Sequence, residues 1–295
     1  MRSNVIITPG LFAGIFLSIL SGCTTNPVDG KSVFTGFSSD QRELRLGRLH
    51  HPQIIKAFGG EFGSLKLRKY VSSIGQFLTR TVERKRFKYT FTLLNSEIVN
   101  AFALPGGYIY ISRGLLALAS NEAELAGVLA HELGHINALH HSRREGQGLL
   151  ANILLTGVGI ATSQNSTKRS HALDIANYIA TGVLSAYSRE HELESDRLAL
   201  RYVSRAGYDP QAMVSFLKKM QASSRLQARR LGQSPDKVDD FNYLATHPAP
   251  AERVRLASQL AAKYKIQNPM LAERIYLQNI NGILFGGDPD QGLIL

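Results

Sequence analysis

His131, Glu132 and His135 fall in the run His131-Glu132-Leu133-Gly134-His135, and their types and spacing can do hydrolytic chemistry. On an α-helix, residues four apart stand one above the other, so two imidazoles can offer nitrogens to one metal ion. Zinc suits such a pair. It takes imidazole readily, needs no redox chemistry and, in catalytic sites, keeps a position open beside three protein ligands. Glu132 is then placed to take a proton from a water attacking a peptide carbonyl.

A third ligand must come from elsewhere in the chain. Ser188-Arg189-Glu190-His191-Glu192-Leu193-Glu194-Ser195-Asp196 supplies carboxylates on what reads as a later helix. Glu192 and Asp196 are four apart and share a face, so one can bind the metal while the other accepts the outer N–H of a ligating histidine. Glu194 lies roughly 200° from Glu192 around the same helix. Spacing tilts the choice toward Glu192 but leaves it open, and a solvated acidic face is the ordinary reading of such a run.

The element that must carry the histidine pair is a helix opened by Asn121 as cap, with Glu124 three residues on. Leu125, Val128, Leu129, Leu133 and Ile136 keep helical spacing, so an amphipathic helix is expected. Ahead of it, Tyr89, Phe91 and Leu93 alternate with threonines. Residues 98–104 and 108–111 read as strands joined by the turn Pro105-Gly106-Gly107. Residues 65–82 predict a core-facing helix, 172–205 a long one ended by Gly207 and Pro210, and 211–221 another, followed by a charged stretch to 240. Helical segments are expected near 250–265 and 270–280. The apolar run 149–161 is too short to span a bilayer, which predicts a buried or membrane-contacting segment.

At the N-terminus, Arg2 precedes a sixteen-residue apolar stretch that ends at Leu20-Ser21-Gly22-Cys23, the form of a secretory leader. Cys23 is the only cysteine, so it cannot form an internal disulfide, and its place resembles a bacterial lipobox with lipid attached to the thiol. Thr24 and Thr25, with no Asp after the cysteine, resemble outer-membrane sorting. Residues 24–40 read as a tether. The net charge of +11 fits attraction to anionic lipid better than nucleic-acid binding, because Lys and Arg are scattered and no nucleic-acid module is visible.

The His131 run, the Ser188 to Asp196 run, Asn100-Ala101-Phe102-Ala103-Leu104-Pro105-Gly106-Gly107-Tyr108-Ile109-Tyr110 and Thr246-His247-Pro248 occur in one order. Together they resemble the HtpX and CAAX-prenyl-protease type of zinc metallopeptidase, peptidase family M48, in its exported lipoprotein branch. The resemblance implies one zinc per chain held by His131, His135 and Glu192, Glu132 as catalytic base and Asp196 behind a ligand. It implies a strand from Asn100 through Ala101, Phe102 and Ala103 that takes substrate along a sheet edge. His247 becomes a fourth ligand that blocks water or a donor to the developing oxyanion. The family usually carries Ala where Ser195 stands, a change expected to be without consequence. Residues 281–292 resemble a segment that in longer relatives leads into a further domain, and this sequence ends three residues later.

The expected fold class is α+β: a predominantly helical gluzincin-type domain with a small antiparallel sheet beside the metal helix. The expected organisation is a leader at 1–22, a lipidated N-terminal segment at 23–62, a peptidase domain at 63–265 and a C-terminal helical segment and tail at 266–295. The function expected is a zinc metalloendopeptidase acting on unfolded or unassembled exported or envelope proteins, lipid-anchored at the periplasmic face of the outer membrane. The alternatives are a metal-stabilised, chaperone-like or binding module with latent proteolysis, and an integral inner-membrane protease. His50, His51, His140, His141, His171 and His191 are expected to be structural or solvent-facing. For His140 the reason is a helical wheel that places it roughly 180° from His131.

Overall fold

The computed structural model describes residues 22–36, 38–83, 85–157, 187–230 and 251–286, with 232, 234, 247, 293 and 294. The expected leader up to 21, the stretch 158–186, the charged stretch from 235 to 240 and both neighbours of His247 lie outside them. Among the described residues, no helix is long and apolar enough to cross a membrane.

The order of elements is β1 (Cys23–Thr25), β2 (Ser32–Phe34), α1 (Asp40–Ala57), α2 (Leu65–Leu78), β3 (Thr90–Leu94), β4 (Ala101–Leu104), β5 (Tyr108–Ser112), α3 (Arg113–Leu118) and α4 (Glu122–Asn137). There follow α5 (His140–Gly157), α6 (Arg189–Arg205), α7 (Pro210–Arg230), α8 (Ala251–Ala261), α9 (Glu273–Ile280), β6 (Leu284–Phe285) and β7 (Leu293–Ile294). The class is α+β, as expected. The central sheet, however, is mixed rather than antiparallel, in the order β3-β5-β4. β5 pairs antiparallel with β4, Phe102 opposite Tyr110, and parallel with β3, Phe91 opposite Ile109. The chain leaving β3 passes to the far side of β5 before it forms the β4–β5 hairpin, so β3 and β5 run the same way. Gly106 and Gly107, at φ +81 and +88, make that hairpin's turn in a region closed to most side chains.

α4 departs from the expected amphipathic form. Every residue from Ala123 to Asn137 except Val128 is buried, because α2, α6, α7 and the sheet cover it on all sides. Such a helix is a core element, and its polar residues must find partners inside. Its start is as expected: the Asn121 side chain accepts from Glu124 N at 2.9 Å, and Glu124 Oε2 accepts from Ser120 N at 2.7 Å. Its end was not foreseen. Leu139 takes a left-handed conformation at φ +60, and α5 sets off from His140 in a new direction.

Several boundaries move, among them the end of α2 at Leu78 rather than 82 and the start of β4 at Ala101 rather than 98. Tyr187 and Ser188 are not helical, and Ser188 caps α6 by accepting from His191 N, so the helix expected over 172–205 is broken there; its part before 187 lies outside the described residues. α7 runs on to Arg230, through part of the stretch read as a charged loop. The expected tether is folded: β1 and β2 pair antiparallel, Asn26 and Thr35 are buried, and Gly146 of α5 lies against Gly36 and Phe34. The apolar run at 149–161 continues α5 as far as Gly157. At the other end, Arg113 fastens the C-terminal segment by donating to Leu284 O at 2.9 Å and Gly286 O at 2.6 Å.

Candidate metal centre

α4 presents His131 and His135 on one face, as i, i+4 spacing requires, and α6 crosses that helix closely enough to reach both. The close approach depends on Gly134, where a Cβ would meet Ser195 Oγ at 2.6 Å. At Ser195 no consequence for the site was expected. Its hydroxyl in fact donates to His131 O at 2.5 Å, a bond that Ala could not make. From this crossing, Glu192 reaches 3.3 Å from His131 Nε2 and 3.4 Å from His135 Nε2. His247 joins them. Its Nδ1 is 2.9 Å from Glu192 Oε1 and 3.3 Å from His131 Nε2, and its Nε2 is 3.4 Å from Glu132 Oε1. His131, His135, Glu192 and His247 are all buried and offer ligand atoms within 4.8 Å of one another.

Zinc fits this group. Four atoms held about 2 Å from zinc at tetrahedral corners stand about 3.3 Å apart; five contacts among these ring nitrogens and the two Glu192 oxygens run from 2.9 to 3.4 Å, and the whole set lies within 4.8 Å. Glu132, Glu192 and Asp196 bring three buried carboxyl groups against the one guanidinium of Arg253, so the site has negative charge to offer a dication. Glu132 Oε2 is buried with no hydrogen-bond partner, which leaves an acceptor free for a water beside the group. Burial pushes the His131 imidazole down, yet Asp196 at 2.9 Å and Glu192 outweigh it and carry its pKa up to about 9. Burial holds His135 well below its ordinary value despite Glu192, with neighbouring imidazoles adding to the drop. Burial would raise both carboxyls on α6. His247 and Arg253 hold Glu192 well below the usual range, and Arg253 and His131 hold Asp196 below it.

The model of peptidase family M48 matches residues 66–261. The chain belongs to that family. The family is one of zinc metallopeptidases, and the buried His/His/Glu/His group is a place able to hold such a metal. The chain is 31% identical over 285 residues to the beta-barrel assembly-enhancing protease of Yersinia pestis, 94% of this chain and 55% of that protein. To the protein of that name in Escherichia coli K12 it is 30% identical over 216 residues, 72% of this chain and 42% of the relative. The mitochondrial metalloendopeptidase OMA1 of Schizosaccharomyces pombe is 25% identical over 231 residues, 78% of this chain and 64% of the relative. The chain thus spans about half the length of the first of these relatives.

Within this M48 domain, three residues around the metal group were not foreseen. Arg253 on α8 donates through Nε and Nη2 to both Asp196 oxygens, at 2.8 and 2.7 Å, and its Nη1 lies 2.7 Å from Glu192 Oε2. One signal pointed to it: Arg253, Ala257 and Ala261 share a helical face, and a charge on an otherwise small and apolar face needs a buried partner. Tyr187 lays its ring on His135, centroids 4.0 Å apart and planes at 20°. His140, read as structural or solvent-facing, is buried with Nδ1 2.8 Å from His135 Nδ1 and Nε2 3.1 Å from Glu194 Oε2. The helical wheel failed for His140 because α4 ends before it. Glu194, turned away from Glu192 as its spacing predicts, lies under His140 and Arg143. Burial would raise its pKa, but these two bring it down to about 2.

β4 is the edge of its sheet, paired with β5 on one side only among the described residues. Phe102 points into a second core cluster, stacked on Tyr110 at 4.9 Å. The small side chains of Ala101 and Ala103 face the metal helix: a cleft lined by Asn100, Ala101, His131 and Glu132 opens at one end, and one lined by Ala103, His135 and Tyr187 at the other. Cys23 is exposed at the start of β1.

Proposed function

We propose that this chain hydrolyses peptide bonds of exported or envelope proteins, with zinc held by His131, His135 and Glu192 and Glu132 as the base. The observation that carries the reading is the convergence of those ligand atoms within 4.8 Å, beside a buried Glu132 oxygen that has no protein partner. The chemistry such an ion supplies is Lewis acidity, which lowers the pKa of an attacking water and polarises a carbonyl. Glu132 takes the proton from that water and passes it to the leaving amine. Asp196, 2.9 Å from His131 Nδ1, holds that ring in place. Substrate joins β4 as an added strand, where main-chain hydrogen bonds are indifferent to sequence and the alanines keep the approach clear.

His247 we assign as a fourth donor, since its Nδ1 is as close to Glu192 and His131 as the other ligand atoms are to one another. That position favours a second reading, in which proteolysis is latent until His247 gives way to water. Support for a role in envelope quality control comes from relatives named as beta-barrel assembly-enhancing proteases. Unfolded or unassembled proteins are the substrates this reading assigns, and lipid on Cys23 the anchor, at the periplasmic face of the outer membrane.

The test is metal content beside cleavage of an unfolded protein such as casein. Wild type should carry about one zinc per chain and lose cleavage on chelation, and Glu132→Gln should keep the zinc while cleavage falls by about 100-fold or more. Wild-type protein that is folded, free of metal and insensitive to chelators would end the proposal. Zinc retained with cleavage appearing only after His247→Ala would select the latent reading.

A further inference from the structure

We infer that His140 is a positioning residue for His135: it dictates which ring nitrogen of that ligand carries the proton and so aims the other at the metal. The inference rests on the zinc reading of the same site. Glu194 anchors the far end. Its Oε2 accepts from Arg143 Nη1 at 2.8 Å and lies 3.1 Å from His140 Nε2, and its Oε1 accepts from Asn26 Nδ2 at 3.3 Å. An ionised carboxylate only accepts, so a neutral His140 carries its proton on Nε2 and donates it to Glu194.

The consequence passes along the chain of contacts. With its proton on Nε2, His140 has a bare Nδ1, which lies 2.8 Å from His135 Nδ1. Two ring nitrogens at that distance share one proton, so His135 holds its own on Nδ1 and donates it to His140. The Nε2 of His135 is left as a lone pair, 3.0 Å from the Nε2 of His131. On the other ligand, Asp196 Oδ1 stands 2.9 Å from His131 Nδ1, on the side of the ring away from the metal position. The two Nε2 atoms, 3.0 Å apart, form a chelating pair once a cation lies between them.

The backbone is bent to make this contact. Leu139 holds the left-handed region that side chains rarely adopt, and without that turn a continuing helix would carry His140 away from the site. The imidazole is then clamped, stacked on His191 with centroids 4.3 Å apart and planes at 18°.

The experiment compares the full chain as wild type, His140→Phe and His140→Gln, by competition of a chelator for zinc and by ¹⁵N NMR of the histidine rings. Phe keeps a flat ring on His191 but makes no hydrogen bond. Gln can accept from His135 and donate to Glu194. We expect His140→Phe to weaken zinc binding about 10- to 100-fold with the fold intact, and His140→Gln to recover most of that loss. The wild-type spectrum should show the His135 proton on Nδ1. Zinc held as tightly by His140→Phe as by wild type, or a wild-type His135 without a proton on Nδ1, overturns the inference. Wild type without zinc would instead defeat the metal reading, and the ring spectrum would still decide the tautomer.

Discussion

The two histidines that face the metal position sit one turn apart on the same helix, yet they are held in different ways. His131 meets a carboxylate directly: Asp196 lies at 2.9 Å and is itself gripped by the buried guanidinium of Arg253. His135 meets an imidazole, and the carboxylate Glu194 stands one residue further out, under a partly exposed Arg143. The first arm places paired charges in the protein interior. The second keeps a neutral ring inside and leaves its charges near water. Burial of the charges, more than the number of contacts, should therefore set how much each arm matters to stability.

The largest difference should appear when each arm loses its arginine. Arg253→Met takes the guanidinium from two buried carboxyls, and unfolding of the metal-free protein should register a loss of about 3–5 kcal/mol. An effect as small as that of a surface pair would erase the contrast between the arms. Ser195→Ala tests the crossing of α4 and α6 that both arms share. It removes one hydrogen bond to His131 O and should lower stability by about 1 kcal/mol with zinc affinity unchanged; a drop in affinity would show that Ser195 also sets ligand position. The smallest effect belongs to Arg143→Met. Its partner Glu194 keeps His140 and Asn26, so the change should stay below about 1 kcal/mol in the same unfolding measurement. A larger loss would place the second arm's charges in a drier setting than their exposure indicates.

Much of the first arm was legible in the sequence. His131, Glu132 and His135 lie within one helix turn, and Glu192 and Asp196 within one turn of another, so local geometry predicted which faces they occupy. Asn121 with Glu124 marked where the helix starts, and the Pro105-Gly106-Gly107 turn marked the β4–β5 hairpin. The second arm was not legible, since it depends on the backbone leaving the helix at Leu139, and no residue there announces a left-handed turn. The parallel pairing of β3 with β5 was hidden for a related reason: strand order is set by which surface each strand can cover, not by the strand's own pattern.

By itself, the sequence determined which side chains are candidates for the metal, the helical faces that carry them and the caps that begin those helices. All of these follow from interactions spanning a few residues, where 3.6 residues per turn leaves little freedom. Only the tertiary structure decided that α4 is covered on every side, that Arg253 pairs with Asp196 across 57 positions, and that His140 turns back onto His135. Those outcomes depend on how separate elements pack. A buried charge or ring nitrogen takes whichever partner the completed interior brings within reach.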